Sequence, residues 1–263
     1  MSILEAIILG IIQGLTEFLP VSSSGHLELG KVLLGIEATE DVTFTVVVHG
    51  ATVLSTIVVF YSEILSLIKG AFQFRWNSST DYIAKLIVSA LPVVVVGLFF
   101  KEQVEGLFNS NVMLVGGMLL VTGTLLCFTY YSPKKGGDVT YGKAFLIGIS
   151  QAVAVLPGIS RSGATIATGL LAGVDKKNAA RFSFLMVLIP IIGANAKDVL
   201  DGGMANSSVA ALPLVIGFLA AFISGVLACK WMINIVVRGK LIYFAYYCFT
   251  VGIVAIVWKL VIY

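Results

Sequence analysis

Residues 142–174 read GKAFLIGISQAVAVLPGISRSGATIATGLLAGV, an apolar stretch broken in its middle by Pro157, Gly158 and Gly163. The part after the break, 163–174, has about 12 residues and reaches roughly 18 Å as a helix, too short for roughly 30 Å of hydrocarbon. A helix–loop–helix that enters the membrane and turns back fits this length. Irregular backbone at membrane depth survives only when it is buried in protein or lines a wet cavity, so the break marks a candidate site.

The remainder of the chain demands the same reading. It has 263 residues, 58% hydrophobic and 12% charged, with a mean hydropathy of +1.01, where soluble domains carry about 25% charged residues. Apolar runs at 42–62, 83–100, 112–131, 182–198 (slightly shorter), 210–229 and 241–262 are long enough to cross as helices. These predict an all-α polytopic membrane protein, a single integral membrane domain over 1–263 with about six transmembrane helices. A soluble fold would need a very large all-apolar core. The first apolar stretch lacks the basic start of a signal peptide, since Glu5 is its only early charge. Cys127, Cys229 and Cys248 sit in or at the ends of predicted crossings, scattered in a way that suggests neither a disulfide framework nor a metal cluster. The formal net charge of +3 says less than its distribution, and no nucleic-acid partner is expected.

Basic residues collect in alternate loops: Lys69, Arg75 and Lys85; Lys134, Lys135 and Lys143; Lys176, Lys177 and Arg181; Lys230, Arg238 and Lys240. These are twelve of the 17 lysines and arginines. The other loops carry Glu37, Glu40 and Asp41, then Glu102 and Glu105 beside Lys101, then Asp198 and Asp201 beside Lys197. Basic loops stay in the cytoplasm. Crossing 112–131 therefore ends inside and 182–198 begins inside, so 141–174 must leave and return to the cytoplasmic face. The opening of the chain behaves alike from the other side. Residues 3–19 are apolar, Pro20 to Gly25 break the pattern, and 26–36 is again too short to cross.

The two hairpins are related. A shift of 138 places Gly10, Ile11 and Gln13 on Gly148, Ile149 and Gln151. After a one-residue gap, at which Pro20 matches Pro157, Ser22, Ser24 and Gly25 fall on Ser160, Ser162 and Gly163, and Leu33, Gly35 and Phe44 on Leu171, Gly173 and Phe182. Matched breaks of opposite inferred orientation predict an inverted-topology repeat, about 1–131 and about 139–263, with two re-entrant helix-loop-helix hairpins whose discontinuous helices meet at the functional site.

Within GLTEFLPVSSSGHLELG, residues 14–30, a carboxylate, three serines and a histidine stand within ten positions. Intramembrane charge is costly and usually functional, which singles out Glu17, His26 and Arg161. Ser24-Gly25 and Ser162-Gly163 each open a short helix, and two helix N-termini facing each other make an anion cradle. Arg161 adds a planar fork matched to phosphate oxygens. The partners have diverged: Arg161 aligns with Ser23, His26 with Ala164 and Glu17 with Val155. One half keeps acid–base groups and the other a phosphate clamp, a split that a reaction needs and a symmetric pore does not. Ser23 needs a base to become a nucleophile. His26, three residues on, could approach it, or Glu17 could orient His26 or act as the base itself. Gln13, a turn before Glu17 on the same face, could bond phosphate or water. Ser22 and Ser24 also read as ordinary helix caps, His49 divides evenly between site lining and packing, and Glu28 with Lys31 reads as a surface pair.

QGLTEFLPVSSSGH (13–26) and LPGISRSGAT (156–165) resemble the motifs of the undecaprenyl-diphosphate phosphatase family, also called bacitracin-resistance protein BacA or UppP, and the likeness runs in spacing and hydropathy along the whole chain. The resemblance implies hydrolysis of a C55 polyprenyl diphosphate to the monophosphate and inorganic phosphate, recycling the lipid carrier of cell-wall synthesis. It also implies a multi-pass protein of the bacterial inner membrane with an outward-facing site. Carried over residue by residue, the acidic motif falls on Gln13 and Glu17, the serine and histidine on Ser23 and His26, and the arginine loop on Ser160, Arg161, Ser162 and Thr165. Many members have glutamate where this chain has Gln13. A divalent cation, Mg²⁺ or Ca²⁺, is the cofactor the resemblance implies, but the sequence shows no cage of oxygen ligands for it and assigns no metal-binding residue. The alternative reading is a lipid or anion transporter or flippase on the same inverted repeat, which fold-level reasoning alone would favour. Oligomeric state is open.

Overall fold

The computed structural model describes residues 1–34, 42–107, 111–132, 136–193 and 210–262. The helices are α1 (Ile3–Phe18), α2 (Ser23–Leu34), α3 (Val42–Val59), α4 (Tyr61–Ala71), α5 (Ser78–Phe99), α6 (Lys101–Glu105), α7 (Val112–Phe128, with a 3-10 turn at Thr129–Tyr131), α8 (Tyr141–Val153), α9 (Arg161–Leu171), α10 (Lys176–Met186), α11 (Ala211–Val237) and α12 (Ile242–Ile262). Among the described residues there is no strand, only an isolated bridge between Gly137 and Val174.

Among the described residues, four helical stretches are long and apolar enough to cross a membrane: Ser78–Phe99, Val112–Tyr131, Ala211–Val237 and Ile242–Val261. They carry the predicted crossings 83–100, 112–131, 210–229 and 241–262. The predicted crossing 42–62 is not one straight helix: it bends by 77° between Val59 and Tyr61, where Phe60 leaves helical geometry at φ −103° and ψ 21°. The physical reason is a change of surface. α3 has no charged residue in its 18, whereas α4 brings Glu63 and Lys69, which turn away from the path of an apolar rod. Taking the bent pair as one span makes five. The predicted crossing 182–198 is interrupted too. α10 stops at Met186 and helix resumes over 188–193, because Pro190 has no N–H to offer the Met186 carbonyl. The remainder of that run lies outside the described residues, as do Glu37, Glu40 and Asp41, Lys134 and Lys135, and Lys197, Asp198 and Asp201.

Both candidate hairpins are helix–break–helix units. α1 opens on a capping box, Ser2 Oγ accepting from the Glu5 N–H while Glu5 accepts from the Ser2 N–H. It closes at Leu19, because the residue before a proline is pushed out of the helical region and Leu19 has ψ 144°. Ser22 then takes a left-handed φ of 71°, and α2 starts at once. α8 ends at Ala154, Gly158 takes φ 95°, and Ser160 caps α9. The return helices have 12 and 11 residues, about 18 and 16 Å long, short of a crossing.

The packing partners exchange between halves. α1 lies along α11 and α8 along α5, while α7 and α12 pack on each other. Close approach is bought with small residues. A Cβ on Gly10 would come within 2.5 Å of the Gly217 carbonyl, and one on Gly148 would meet the Ser89 backbone at 2.9 Å from its Cα. Phe18, Phe60 and Phe184 fill the space beside the tips, with ring centroids 5.8 Å apart for Phe18–Phe184 and 6.1 Å for Phe60–Phe184.

Candidate active site

The two breaks fold into the same local arrangement. In the first, Ser22 Oγ accepts from the Gly25 N–H at 3.2 Å and lies 3.3 Å from Ser24 Oγ. In the second, Ser160 Oγ accepts from the Gly163 N–H at 3.0 Å and lies 3.2 Å from Ser162 Oγ. The tips then meet. A Cβ on Gly25 would sit 3.1 Å from Gly158, and one on Gly163 would sit 3.2 Å from Pro20, while Ser162 Oγ donates to the Leu19 carbonyl at 3.2 Å. Neighbouring helices fix both tips. Thr122 of α7 donates to the Gly158 carbonyl and accepts from the Ser160 N–H, and the Cys248 thiol of α12 points at the Pro20 carbonyl.

This junction places the first residues of the two return helices, Ser23 and Arg161, on opposite sides of one carboxylate. Ser23 Oγ donates to Glu17 Oε2 at 2.7 Å. Gln13 Nε2, one turn earlier on α1, donates to the same oxygen at 2.9 Å. Arg161 pairs with Glu17 through Nη2 and Oε1. The Glu17 side chain is only 6% exposed, so its charge survives in the membrane because a guanidinium and two further donors replace water. A narrow cleft opens beside this pair, with Thr56, Ser162, Ser183 and Val187 in its walls.

The predicted residues thus divide by position. Glu17, Ser23, Gln13 and Arg161 converge. Ser22 and Ser24 are spent on the turns, as their capping alternative foresees, Ser160 is spent likewise, and Ser162 both ties the tips and borders the cleft. Thr165 lies behind the cluster, donating to the Arg161 carbonyl at 2.8 Å and meeting Ser183 Oγ at 2.5 Å. His26 does not approach Ser23. Its Nδ1 lies 2.8 Å from the Ser22 carbonyl, which also accepts from the His26 backbone N–H at 3.1 Å, and its Nε2 lies 2.8 Å from the Tyr247 hydroxyl. Because a carbonyl only accepts, Nδ1 carries the proton and Nε2 accepts from Tyr247 in the neutral ring. The two rings also stack, 5.6 Å apart at 15°.

Tyr247 gains a place that the sequence did not give it, and His49 takes the site-lining side of its two readings. Tyr247 is 221 positions from His26 and reads in isolation as one more interfacial tyrosine. His49, on α3, has Nε2 3.9 Å from Glu17 Oε2 and stands at the site rather than in packing.

These residues do not fit a tightly held divalent cation. Mg²⁺ and Ca²⁺ need about six or more oxygen ligands, whereas Glu17 is taken up by Arg161, Ser23 and Gln13. Gln13 Oε1 is a buried oxygen without a partner, and one neutral oxygen is not a cage. Among the described residues no three His, Cys, Asp or Glu side chains gather as a metal group.

The family model described as bacitracin resistance protein BacA matches residues 6–254. An undecaprenyl-diphosphatase of Bacteroides fragilis (strain YCH46) is 54% identical over 257 residues, covering 96% of this chain and 97% of that protein. One from Bacteroides thetaiotaomicron is 53% identical over 264 residues, covering 99% and 100%. A more divergent relative of the same name from Salinibacter ruber is 42% identical over 260 residues, covering 94% and 96%.

Proposed function

This chain belongs to the bacitracin resistance protein BacA family, and from that membership we propose that the Glu17–Arg161 cluster is the centre at which it works. The chain is a phosphatase that removes the terminal phosphate of undecaprenyl diphosphate, releasing undecaprenyl phosphate and inorganic phosphate. The observation that carries the location is the Ser23 hydroxyl held at 2.7 Å on a carboxylate whose other oxygen faces Arg161.

In the proposed reaction Arg161 grips non-bridging oxygens of the terminal phosphate with the donors not engaged by Glu17. Ser23 Oγ attacks that phosphorus as its proton passes to Glu17 Oε2. The Oγ–P bond forms, the bond to the bridging oxygen breaks, and undecaprenyl phosphate departs with the bridging electron pair. Water then adds to the phosphoserine phosphorus, the Oγ–P bond breaks, and Ser23 regains a proton as inorganic phosphate leaves. The free Gln13 Oε1 suits that water. His26 closes the left-handed Ser22 turn with two bonds to one carbonyl, and so orients Ser23.

Two features support an inverted repeat, about 1–131 and about 139–263: the matching serine–glycine turns and the exchanged partners of α1 and α8. The alternate basic loops favour a fixed orientation with those loops in the cytoplasm, and family membership favours the bacterial inner membrane with the site facing outward.

Phosphate release from undecaprenyl diphosphate by purified protein, with and without chelator, tests the reading in wild type, Glu17→Gln and Ser23→Ala. Both variants should lose at least about 100-fold in kcat. Substantial turnover by Ser23→Ala would exclude a phosphoserine, and turnover by Glu17→Gln would remove the base.

A further inference from the structure

We propose that His49 is a positioning residue that acts through Glu17, taking from the carboxyl the proton that the attacking hydroxyl has just surrendered. The inference rests on the assignment of Glu17 as base. His49 Nδ1 lies 2.8 Å from the Thr45 carbonyl, an acceptor only, so Nδ1 carries hydrogen in either charge state. The lone pair of the neutral ring is therefore at Nε2, and Nε2 is turned to Glu17 Oε2 at 3.9 Å. That is the oxygen that receives the Ser23 hydroxyl.

In the resting cluster this arrangement gains little, because a carboxylate and a ring lone pair face each other with no hydrogen between them. It becomes complementary once Glu17 Oε2 is protonated. The new O–H then points at an acceptor, and a movement of about 1 Å, or one water, closes the hydrogen bond. The proton runs Ser23 Oγ to Glu17 Oε2 to His49 Nε2, and returns by the same path when water splits the phosphoserine. Atoms balance without any added reagent: the Glu17 O–H bond breaks as the His49 N–H bond forms.

The relay gives Glu17 what a lone base paired to Arg161 lacks. A second acceptor keeps the proton on Glu17 from returning to the serine before the leaving group has departed. The charges around His49 permit the transfer. α1 presents Glu17, α9 presents Arg161, already paired with Glu17, and α2 presents Lys31, paired with Glu28 at 3.0 Å. The single charge of α11, Lys230, lies beyond Gly225, which packs on Ser55 a full turn past His49.

The test compares the pH dependence of kcat in wild type and His49→Gln, using purified protein and undecaprenyl diphosphate. Glutamine keeps size and a donor but cannot take the proton. At pH 8 kcat should fall about 10- to 100-fold with KM within about threefold. The ratio of wild-type to variant kcat should itself fall as pH is lowered from 8, once the imidazole becomes charged and can no longer take the proton. Ionisation of substrate and of His26 is common to both proteins and cancels in that ratio. A ratio flat with pH would overturn the proposal, whatever the size of the loss. Should His49→Gln fail to fold, His49→Ala serves: added imidazole should restore kcat in a saturable way, and a folded variant deaf to imidazole would also overturn it. Glu17→Gln, run in parallel, separates the failures. An active Glu17→Gln removes the base and the relay together, whereas an inactive one beside a flat His49→Gln ratio removes the relay alone.

Discussion

Arg161→Ala should damage the fold and the reaction by separable amounts. It deletes the guanidinium and leaves Glu17, 6% exposed, as an unpaired buried carboxylate. Breaking a buried pair by removing one partner costs about 3–5 kcal/mol. Glu17 keeps Gln13 Nε2 at 2.9 Å and Ser23 Oγ at 2.7 Å, and hydrogen bonds to a charged group are each worth about 1.5–3 kcal/mol, so the lower end, about 3 kcal/mol, applies. At roughly 2–4 °C per kcal/mol for a chain of this size, Tm should drop about 6–12 °C. The double variant Arg161→Ala, Glu17→Gln removes both charges and should melt within about 3 °C of wild type, since a neutral amide needs no counterion. Activity follows the opposite logic. Loss of a single transition-state donor costs about 10²–10³. Here the whole fork goes, so kcat/KM should fall at least about 10³-fold in the single variant and no less in the double. Thermal unfolding in detergent and phosphate release measure the two. A double variant that melts no higher than Arg161→Ala would refute the reasoning, because Glu17 would then not be a charge that Arg161 neutralises.

Tyr247→Phe keeps the stack on His26 and removes only the O–H donor, so kcat should fall about tenfold with Tm changed by less than about 2 °C; an unchanged kcat would strip Tyr247 of its part in the site. Gly148→Ala would thrust a Cβ against the Ser89 backbone and should lower Tm, whereas Gly142→Ala on the same helix has nothing within 4 Å and should leave it unchanged or higher; equal effects would contradict the α5–α8 packing. A single reactive cysteine at Arg238, just past α11, in a chain freed of its own three, should react with impermeant reagent only from the cytoplasm, and labelling from outside would reverse the orientation of the site.

The sequence reveals the breaks and, through the repeat, the meeting of the two tips, but it hides which side chains pair there, and both follow from what forces each. Pro20, Pro157 and Gly158 act on their own neighbours: a ring clashes with the preceding residue, or a missing Cβ admits positive φ. Their effect is local and can be read in place. The bend at Phe60 has no such residue, and only the charge of the following turn suggests it, so a straight crossing is the natural expectation from hydropathy. The site is further still from the sequence. Ser23 lies near both Glu17 and His26 along the chain, and proximity favours the imidazole as its base. Yet Ser22, whose carbonyl holds the His26 ring, and Tyr247, which takes the other nitrogen, turn that ring aside, so the hydroxyl faces the carboxylate instead. The serine's partner is decided by which acceptors the histidine has already found, and one of those stands on the last helix. The same holds for His49: its Thr45 bond is one helical turn away and foreseeable, but the direction in which that bond aims Nε2 has meaning only once α1 lies against α3 with Glu17 between them and Arg161.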